Sequence, residues 1–280
     1  MRSLSISYEP MTNDGYSPIT SLSAADGPAN GALWPAPAAA GALNATLTIP
    51  GSKSLTNREL VLAALAEGPS KLSAPLHSRD SERMIAGLTA LGVAFTPING
   101  TGRFGPDLLV TPPDKLHAGG TVDCGQAGTV MRFLPPLAGL VAGEVHFEAD
   151  DNALHRPMGP MITALRELGV DVDDSGRWAL PFSVRGHGHV RGGELEIDAS
   201  SSSQFVSGLL LAASRFDVGM HLRHTGPRLP SVPHIDMTVE ALQHRGVRVE
   251  RPSAHEWVVA AGPIRAKDIA VEPDLSNASP

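Results

Sequence analysis

The sequence predicts an α/β protein built from three copies of one βαβαββ unit. Two observations carry that prediction. Leu88-Thr-Ala-Leu-Gly-Val93, Leu165-Arg-Glu-Leu-Gly-Val170 and Leu242-Gln-His-Arg-Gly-Val247 set Gly92, Gly169 and Gly246 at equal intervals along the chain, the signature of an internal repeat. In phase with them, three apolar runs each follow a cluster of small, hydroxyl-bearing or amide residues: Pro50 to Arg58 before Leu60 to Leu65, Gly125 to Arg132 before Phe133 to Val141, and Ser200 to Gln204 before Phe205 to Ala213. Each run closes on a glycine, at Gly68, Gly143 and Gly219. Three such units can bury against one another a face that none buries alone.

In chain order, residues 1–32 are rich in Ser, Ala, Gly, Pro and Asn without sustained periodicity and are expected to form a disordered tail. Ala45 to Ile49 alternates as a strand leading into the first polar cluster. Each unit then runs loop, helix, strand, second helix, strand, hairpin turn and strand. In the middle copy Pro157 to Leu168 is the second helix, Val170 to Val172 begins the next strand, and Asp173-Asp174-Ser175-Gly176 turns the chain into Trp178 to Val184. In the third, Ile235 to Gln243 is the second helix, with strands at Val247 to Glu250 and Trp257 to Ala260. Glu272 to Pro280 reads as one more polar cluster entering a helix, with Asp274 or Ser276 as cap, so a truncated chain is expected.

The 280 residues are 42% apolar and 18% charged, an ordinary globular balance. No apolar run reaches the length a bilayer requires, and Pro135-Pro136 interrupts one of the better candidates. No secretion-signal core follows Met1-Arg2, and the single Cys124 cannot form an intrachain disulfide, so a cytoplasmic protein is expected. The net charge of -7 argues against a nucleic-acid partner. Cations gathered at particular loops then point to a small anionic ligand.

The chemistry sits at the helix starts. The free N–H groups and dipole of a first helical turn attract anions. Gly51 would let a ligand approach the backbone, the hydroxyls of Ser52, Ser54 and Thr56 add donors, and Lys53 and Arg58 add charge. A solvated helix start is the bland alternative, although cations there oppose the dipole by roughly 0.3–1 kcal/mol each. Gly128 costs helix propensity, roughly 1 kcal/mol against alanine, which suggests a need for space beside Thr129 and Arg132; a plain loop glycine fits equally well. Ser200 to Ser203 followed by Gln204 can cradle a phosphate or can be a flexible serine loop. Arg156-Pro157 reads as a helix start whose arginine is misplaced unless it faces an anion, the alternative being a surface arginine. Asp171 to Gly176 imitates a calcium loop but has Phe182 where the bidentate glutamate belongs. His187, His189, His221 and His224 lack a zinc pattern, and Cys124 has no assignable base.

Together, Ser52-Lys-Ser-Leu-Thr-Asn-Arg58, Asp123-Cys-Gly-Gln-Ala-Gly-Thr-Val-Met-Arg132, His155-Arg-Pro-Met158, Ser202-Ser-Gln-Phe205 and Pro230-Ser-Val-Pro-His-Ile-Asp236 resemble the 3-phosphoshikimate 1-carboxyvinyltransferases (EPSP synthases) of the enolpyruvyl transferase family. The resemblance covers about residues 45–280. It implies two lobes of three βαβαββ units, with residues 50–272 as one complete lobe, 33–49 and 273–280 as fragments of the other, and a monomer when full length. It implies that Lys53, Ser54, Arg58, Ser202, Ser203, Gln204 and Ser231 bind shikimate 3-phosphate and that Lys53, Gly128, Arg156 and Gln204 bind phosphoenolpyruvate. Thr129 and Arg132 would shape the latter's loop. No metal or cofactor is implied, and the catalytic acid and base are expected beyond the chain end, which leaves this chain inactive alone. The sequence departs from the usual pattern at Gln126, where asparagine is common, and at His234, where some members have tyrosine. UDP-N-acetylglucosamine enolpyruvyl transferase is the related alternative, and a non-catalytic anion-binding module is the alternative of another class.

Overall fold

A computed structural model describes residues 4–8, 41, 43–47, 49–98 and 104–274. The chain divides into two units at Ile49/Pro50. In the first, β1 (Leu4–Tyr8) pairs antiparallel with β2 (Leu43–Leu47), Leu4 opposite Leu47 and Tyr8 opposite Leu43. Leu4–Tyr8 belongs to the stretch that the sequence suggested was a disordered tail; its Leu-Ser-Ile-Ser-Tyr alternation is strand-like over five residues, too short to register in a segment otherwise without period. The rest of that stretch lies outside the described residues.

The second unit contains α1 (Lys53–Ala64), β3 (Ser70–Ser73), α2 (Arg79–Ala90), β4 (Ala94–Ile98), β5 (Asp107–Thr111), β6 (Thr121–Asp123), α3 (Gly128–Gly139), β7 (Ala142–Glu148), α4 (Gly159–Glu167), β8 (Asp171–Asp173) and β9 (Phe182–His187). It continues through β10 (Gly193–Ile197), α5 (Gln204–Ala213), β11 (Met220–His224), α6 (Val232–His244), β12 (Val249–Ser253), β13 (Glu256–Val259) and β14 (Ile269–Ala270). These strands form three four-stranded sheets of the same pattern, β14-β3-β5-β4, β6-β7-β9-β8 and β10-β11-β13-β12. In each, the first pair is parallel and the others antiparallel.

The first repeat is completed differently from the other two. Its leading strand is β14, from the far end of the unit, pairing parallel with β3. The strand read from sequence ahead of the first polar cluster is β2, which pairs with β1 instead.

Burial separates the helices into two classes. From Thr56, Thr129 and Phe205 onward, α1, α3 and α5 are buried on every face, as expected of core helices. Between them Gly208 backs directly onto the Arg132 carbonyl, leaving no room for a side chain. By contrast α2, α4 and α6 bury one stripe each: Met84 and Leu88; Met161, Ile162 and Leu165; Ile235, Ala241 and Leu242. Their ends explain the repeat signature. Gly92, Gly169 and Gly246 adopt φ of 95°, 80° and 84°. The following Val93, Val170 and Val247 donate to the carbonyls of Leu88, Leu165 and Leu242 at 3.1, 2.9 and 3.0 Å. That is a Schellman stop, which calls for glycine in the left-handed position and rewards an apolar contact across it.

Two local expectations change. Arg156-Pro157 does not start a helix: α4 begins at Gly159 with Met158 as cap. The backbone before it is engaged elsewhere, Arg156 N–H to Ala153 O at 3.0 Å and Met158 N–H to Trp178 O at 2.9 Å. The turn after β8 is longer than a tight hairpin, because the buried Asp174 carboxylate accepts from the Gly176 and Trp178 N–H groups and from Arg166 at 3.2, 2.7 and 2.8 Å.

Candidate functional site

The starts of α1, α3 and α5 meet. Asn57 Nδ2 on α1 donates to Thr129 Oγ1 on α3 at 2.8 Å, and Gln204 Oε1 at the start of α5 lies beside Gly128 at the start of α3. None of the three helices has an acidic residue in its first turn. Their dipoles are therefore not neutralised by their own side chains.

Gly128 is the centre of the arrangement. A Cβ built there would lie 3.1 Å from Gln204 Oε1, 3.2 Å from Arg132 Nη1 and 3.6 Å from Arg156 Nη1. Two guanidinium groups and an amide thus face one bare helix start. Arg156 is held by donation to the Gln126 carbonyl at 2.8 Å, and Arg132 by donation to the Gly128 carbonyl at 3.1 Å and by stacking 5.2 Å over Phe205. Arg132 Nε is buried without a partner among the described residues. Burial, and then the charge of Arg156, lower the Arg132 pKa to about 10. No carboxylate among the described residues pairs with Arg132, and a bound anion would offset the cost of that burial and of the Arg156 charge.

Arg58 is 1% exposed. Its Nε donates to Thr238 Oγ1 (2.7 Å), Nη1 to the Ser54 carbonyl (2.8 Å), and Nη2 to Ser207 Oγ (3.3 Å) and the His234 carbonyl (2.8 Å). It also lies 5.3 Å over Phe133. Burial lowers its pKa to about 10, and no carboxylate among the described residues pairs with it. The residue is thus a charged tie between α1, α5 and α6, with one Nη1 donor left over.

Lys53, at the first position of α1, forms a 3.2 Å ion pair with Asp80. Gly51 is not open to a ligand, because the face a side chain would occupy is filled by the Ala74 carbonyl and Val271. Ser52 caps α1 by accepting from Leu55 N–H at 3.4 Å and donates to Asp274 at 3.2 Å.

The third cluster contributes Ser202, whose Oγ accepts from Gln204 N–H at 3.2 Å, and the buried Ser203, which makes no capping bond of its own. Ser231 caps α6 in a left-handed conformation, φ 51° and ψ 46°. A non-glycine residue there stores of order 1 kcal/mol or more. His234 follows within the first turn of α6, half-buried.

Sequence reasoning passed over Asn57, Ser207 and Thr238. Ser207 had a signal, a hydroxyl inside the apolar run Phe205 to Ala213, and Thr238 had a weaker one on the buried stripe of α6. Asn57 lay inside the first cluster but only its partner Thr129 shows its use. Gln126 points away to Asp150 at 3.3 Å. Cys124 is buried, and burial pushes its thiol pKa up, which leaves it inert.

A family model described as EPSP synthase (3-phosphoshikimate 1-carboxyvinyltransferase) matches residues 37–280. The chain belongs to the EPSP synthase family. Within that family it is 54% identical over 253 residues to a 3-phosphoshikimate 1-carboxyvinyltransferase of Kocuria rhizophila, an alignment covering 89% of this chain and 57% of that protein. Two solved structures of EPSP synthase from Acinetobacter baumannii share its fold with a TM-score of 0.69 at 22% identity, over 83% of this chain and 50% and 51% of theirs. The chain thus spans little more than half the length of these EPSP synthases. No described helix is long and apolar enough to cross a membrane.

Proposed function

We propose that this chain forms the substrate-binding half of a 3-phosphoshikimate 1-carboxyvinyltransferase. The observation that carries the reading is the convergence of Arg132, Arg156 and Gln204 on Gly128 at an unneutralised helix start. Phosphoenolpyruvate carries a carboxylate and a phosphate, and such a cluster suits one of its anionic groups. Ser202, Ser203 and Ser231 supply hydroxyls for the phosphate of shikimate 3-phosphate. Ser54 and the spare Nη1 donor of Arg58 serve its ring carboxylate, and Lys53 stands between the ligands once released from Asp80.

In the reaction, the 5-hydroxyl of shikimate 3-phosphate gives up its proton as its oxygen bonds to C2 of phosphoenolpyruvate, and the electrons of the C2–C3 double bond take a proton at C3. The bond from C2 to the phosphate oxygen then breaks, phosphate leaves with that electron pair, and C3 loses a proton to restore the C2–C3 double bond. The residues named here bind and orient anions and offset their mutual repulsion; no acid or base is assigned among them. The reading calls for no metal or cofactor, and for a cytoplasmic protein, monomeric at full length, acting on small anions. The identity of the Kocuria relative supports the shikimate enzyme over the UDP-N-acetylglucosamine one.

Calorimetric titration of the 280-residue chain with shikimate 3-phosphate, against shikimate as control, tests the reading. Binding that depends on the phosphate is expected. Equal affinity for the two ligands, or no binding to a demonstrably folded chain, would remove the phosphate site from this half.

A further inference from the structure

His224 ends β11, directly opposite Ile197 at the end of the parallel strand β10. Two loops leave the sheet at those residues. Residues 198–203 carry Ser202 and Ser203 into α5, and residues 225–231 carry Ser231 into α6. The His224 side chain is buried between the loops, the residue being 4% exposed. Its Nδ1 lies 3.1 Å from Ala199 N in the first loop, and its Nε2 lies 3.0 Å from the Arg228 carbonyl in the second.

A backbone N–H can only donate and a carbonyl can only accept. Both contacts are therefore met together by one species, the neutral imidazole with its proton on Nε2. The other tautomer would donate from Nδ1 to the Ile197 carbonyl at 3.3 Å, an oxygen that also accepts from Thr225 N–H at 3.0 Å, and would gain only this longer contact. It would also set an N–H against the Ala199 N–H and a lone pair against the Arg228 carbonyl. The imidazolium would keep the Arg228 bond, could donate from Nδ1 to the Ile197 carbonyl, and would set that N–H against the Ala199 N–H, which then loses its acceptor.

The ring is fixed from the side as well. His255 stacks on it at 5.5 Å and 22°, and the His255 carbonyl accepts from the His224 N–H at 2.8 Å.

The middle sheet shows why a side chain is needed here. There the loops after β6 and β7 are joined by the backbone, Asp150 N–H to the Gly125 carbonyl at 3.2 Å. Here the backbone joins the loops only at their base, through Thr225 N–H to the Ile197 carbonyl at 3.0 Å; among the described residues no backbone bond joins 198–203 to 225–231, and the imidazole ties the loops beyond that base. Gly226 packs directly on Asp198 and Ser200, which brings the loops close enough for one ring to reach both.

We propose that His224 is a positioning residue, a neutral Nε2–H imidazole that holds the two serine loops in register as one phosphate-binding half-site. This rests on the functional reading above, which gives Ser202, Ser203 and Ser231 a shared ligand.

The test compares His224→Phe with His224→Gln in the 280-residue chain. Phenylalanine keeps a ring and removes both polar atoms. Glutamine can offer Oε1 to Ala199 and Nε2–H to Arg228. The ratio of affinities for shikimate 3-phosphate and shikimate is expected to fall about ten-fold in the Phe variant. It is expected to return toward the wild-type value in the Gln variant. A long-range proton–nitrogen NMR spectrum of the wild type should show Nε2 protonated and Nδ1 as acceptor, which holds even where the Phe variant fails to fold. A protonated Nδ1, or a folded Phe variant that keeps the wild-type ratio, overturns the role of His224 alone. A wild-type chain that binds both ligands equally overturns the functional reading, and the ligand claim for His224 with it.

Discussion

Gly128→Ala separates the two ligands. The added methyl would meet Gln204 Oε1 at 3.1 Å and Arg132 Nη1 at 3.2 Å, with Arg156 Nη1 at 3.6 Å. All three are tips of side chains that can yield a few tenths of an ångström. Alanine also gains up to roughly 1 kcal/mol of helix propensity over glycine. Stability should therefore stay within about 1 kcal/mol of wild type. Binding should not, because the methyl takes the point on which the donors converge. Loss of one hydrogen bond to a charged group costs about 1.5–3 kcal/mol, or roughly 10- to 100-fold in affinity. The third unit's serine loops are untouched and only Gln204 is shared, so shikimate 3-phosphate should lose less affinity than phosphoenolpyruvate. The assay is calorimetric titration of shikimate 3-phosphate alone, then of phosphoenolpyruvate at saturating shikimate 3-phosphate, with thermal unfolding to confirm the fold. Equal loss for both ligands, an unchanged phosphoenolpyruvate affinity, or a wild-type chain that does not bind phosphoenolpyruvate would refute the placement.

Ser231→Gly should raise stability in urea by up to about 1 kcal/mol by relieving the left-handed strain while weakening shikimate 3-phosphate. Ser231→Ala keeps the strain and should show only the weaker binding. Glu59→Ala should cost about 3–5 kcal/mol in urea unfolding, because it strands the fully buried Arg245, whose Nε donates to Glu59 Oε2 at 2.9 Å. For His234, burial and then the charge of Arg58 hold the pKa below the ordinary 6.5. The unfolded chain then takes up that proton at higher pH than the folded one, so this contribution is present above 6.5 and is lost as pH falls through the lower folded value. Urea midpoints followed downward from about pH 7 should fall more steeply in wild type than in His234→Gln.

The repeat was legible because a Schellman stop is local chemistry: Leu, Gly and Val at fixed offsets are required wherever an outer helix turns into its next strand. The helix starts were legible for the same reason, since glycine and hydroxyl clusters before apolar runs have few other uses. Pairwise geometry was not. Lys53 reads as charge offered to a ligand, and only the folding of α2 beside it brings Asp80 to 3.2 Å. Gly51 reads as space for a ligand until Val271, more than two hundred residues later, fills it. Arg156 reads as a helix start because proline follows it; a bond from Met158 N–H to the distant Trp178 carbonyl decides otherwise. His224 shows the same limit, since its value lies in two backbone atoms that sequence spacing cannot place around one ring.

The order of strands gives these long-range ties a common cause. In the second and third sheets the leading strand immediately precedes its inner helix, so local folding can assemble the strand, the polar cluster and the helix start together. The first inner helix, α1, has no such strand in front of it within its sheet. The role falls to β14, which pairs with β3, while Ser52 N–H donates to the Glu272 carbonyl at 2.8 Å and Gly51 bridges Pro273. The loop before Lys53 and Ser54 is thereby set by residues 269–274, a contact that closes nearly the whole unit into one loop. Buried polar ties of Arg245 to Glu59, to Ser70 Oγ and to the Arg265 carbonyl sit along the same seam. A neutral apolar seam could slide by a residue; one fixed by directional bonds cannot without stranding a charge. The register of β14, and with it the geometry of the first helix start, is in this way specified from α6.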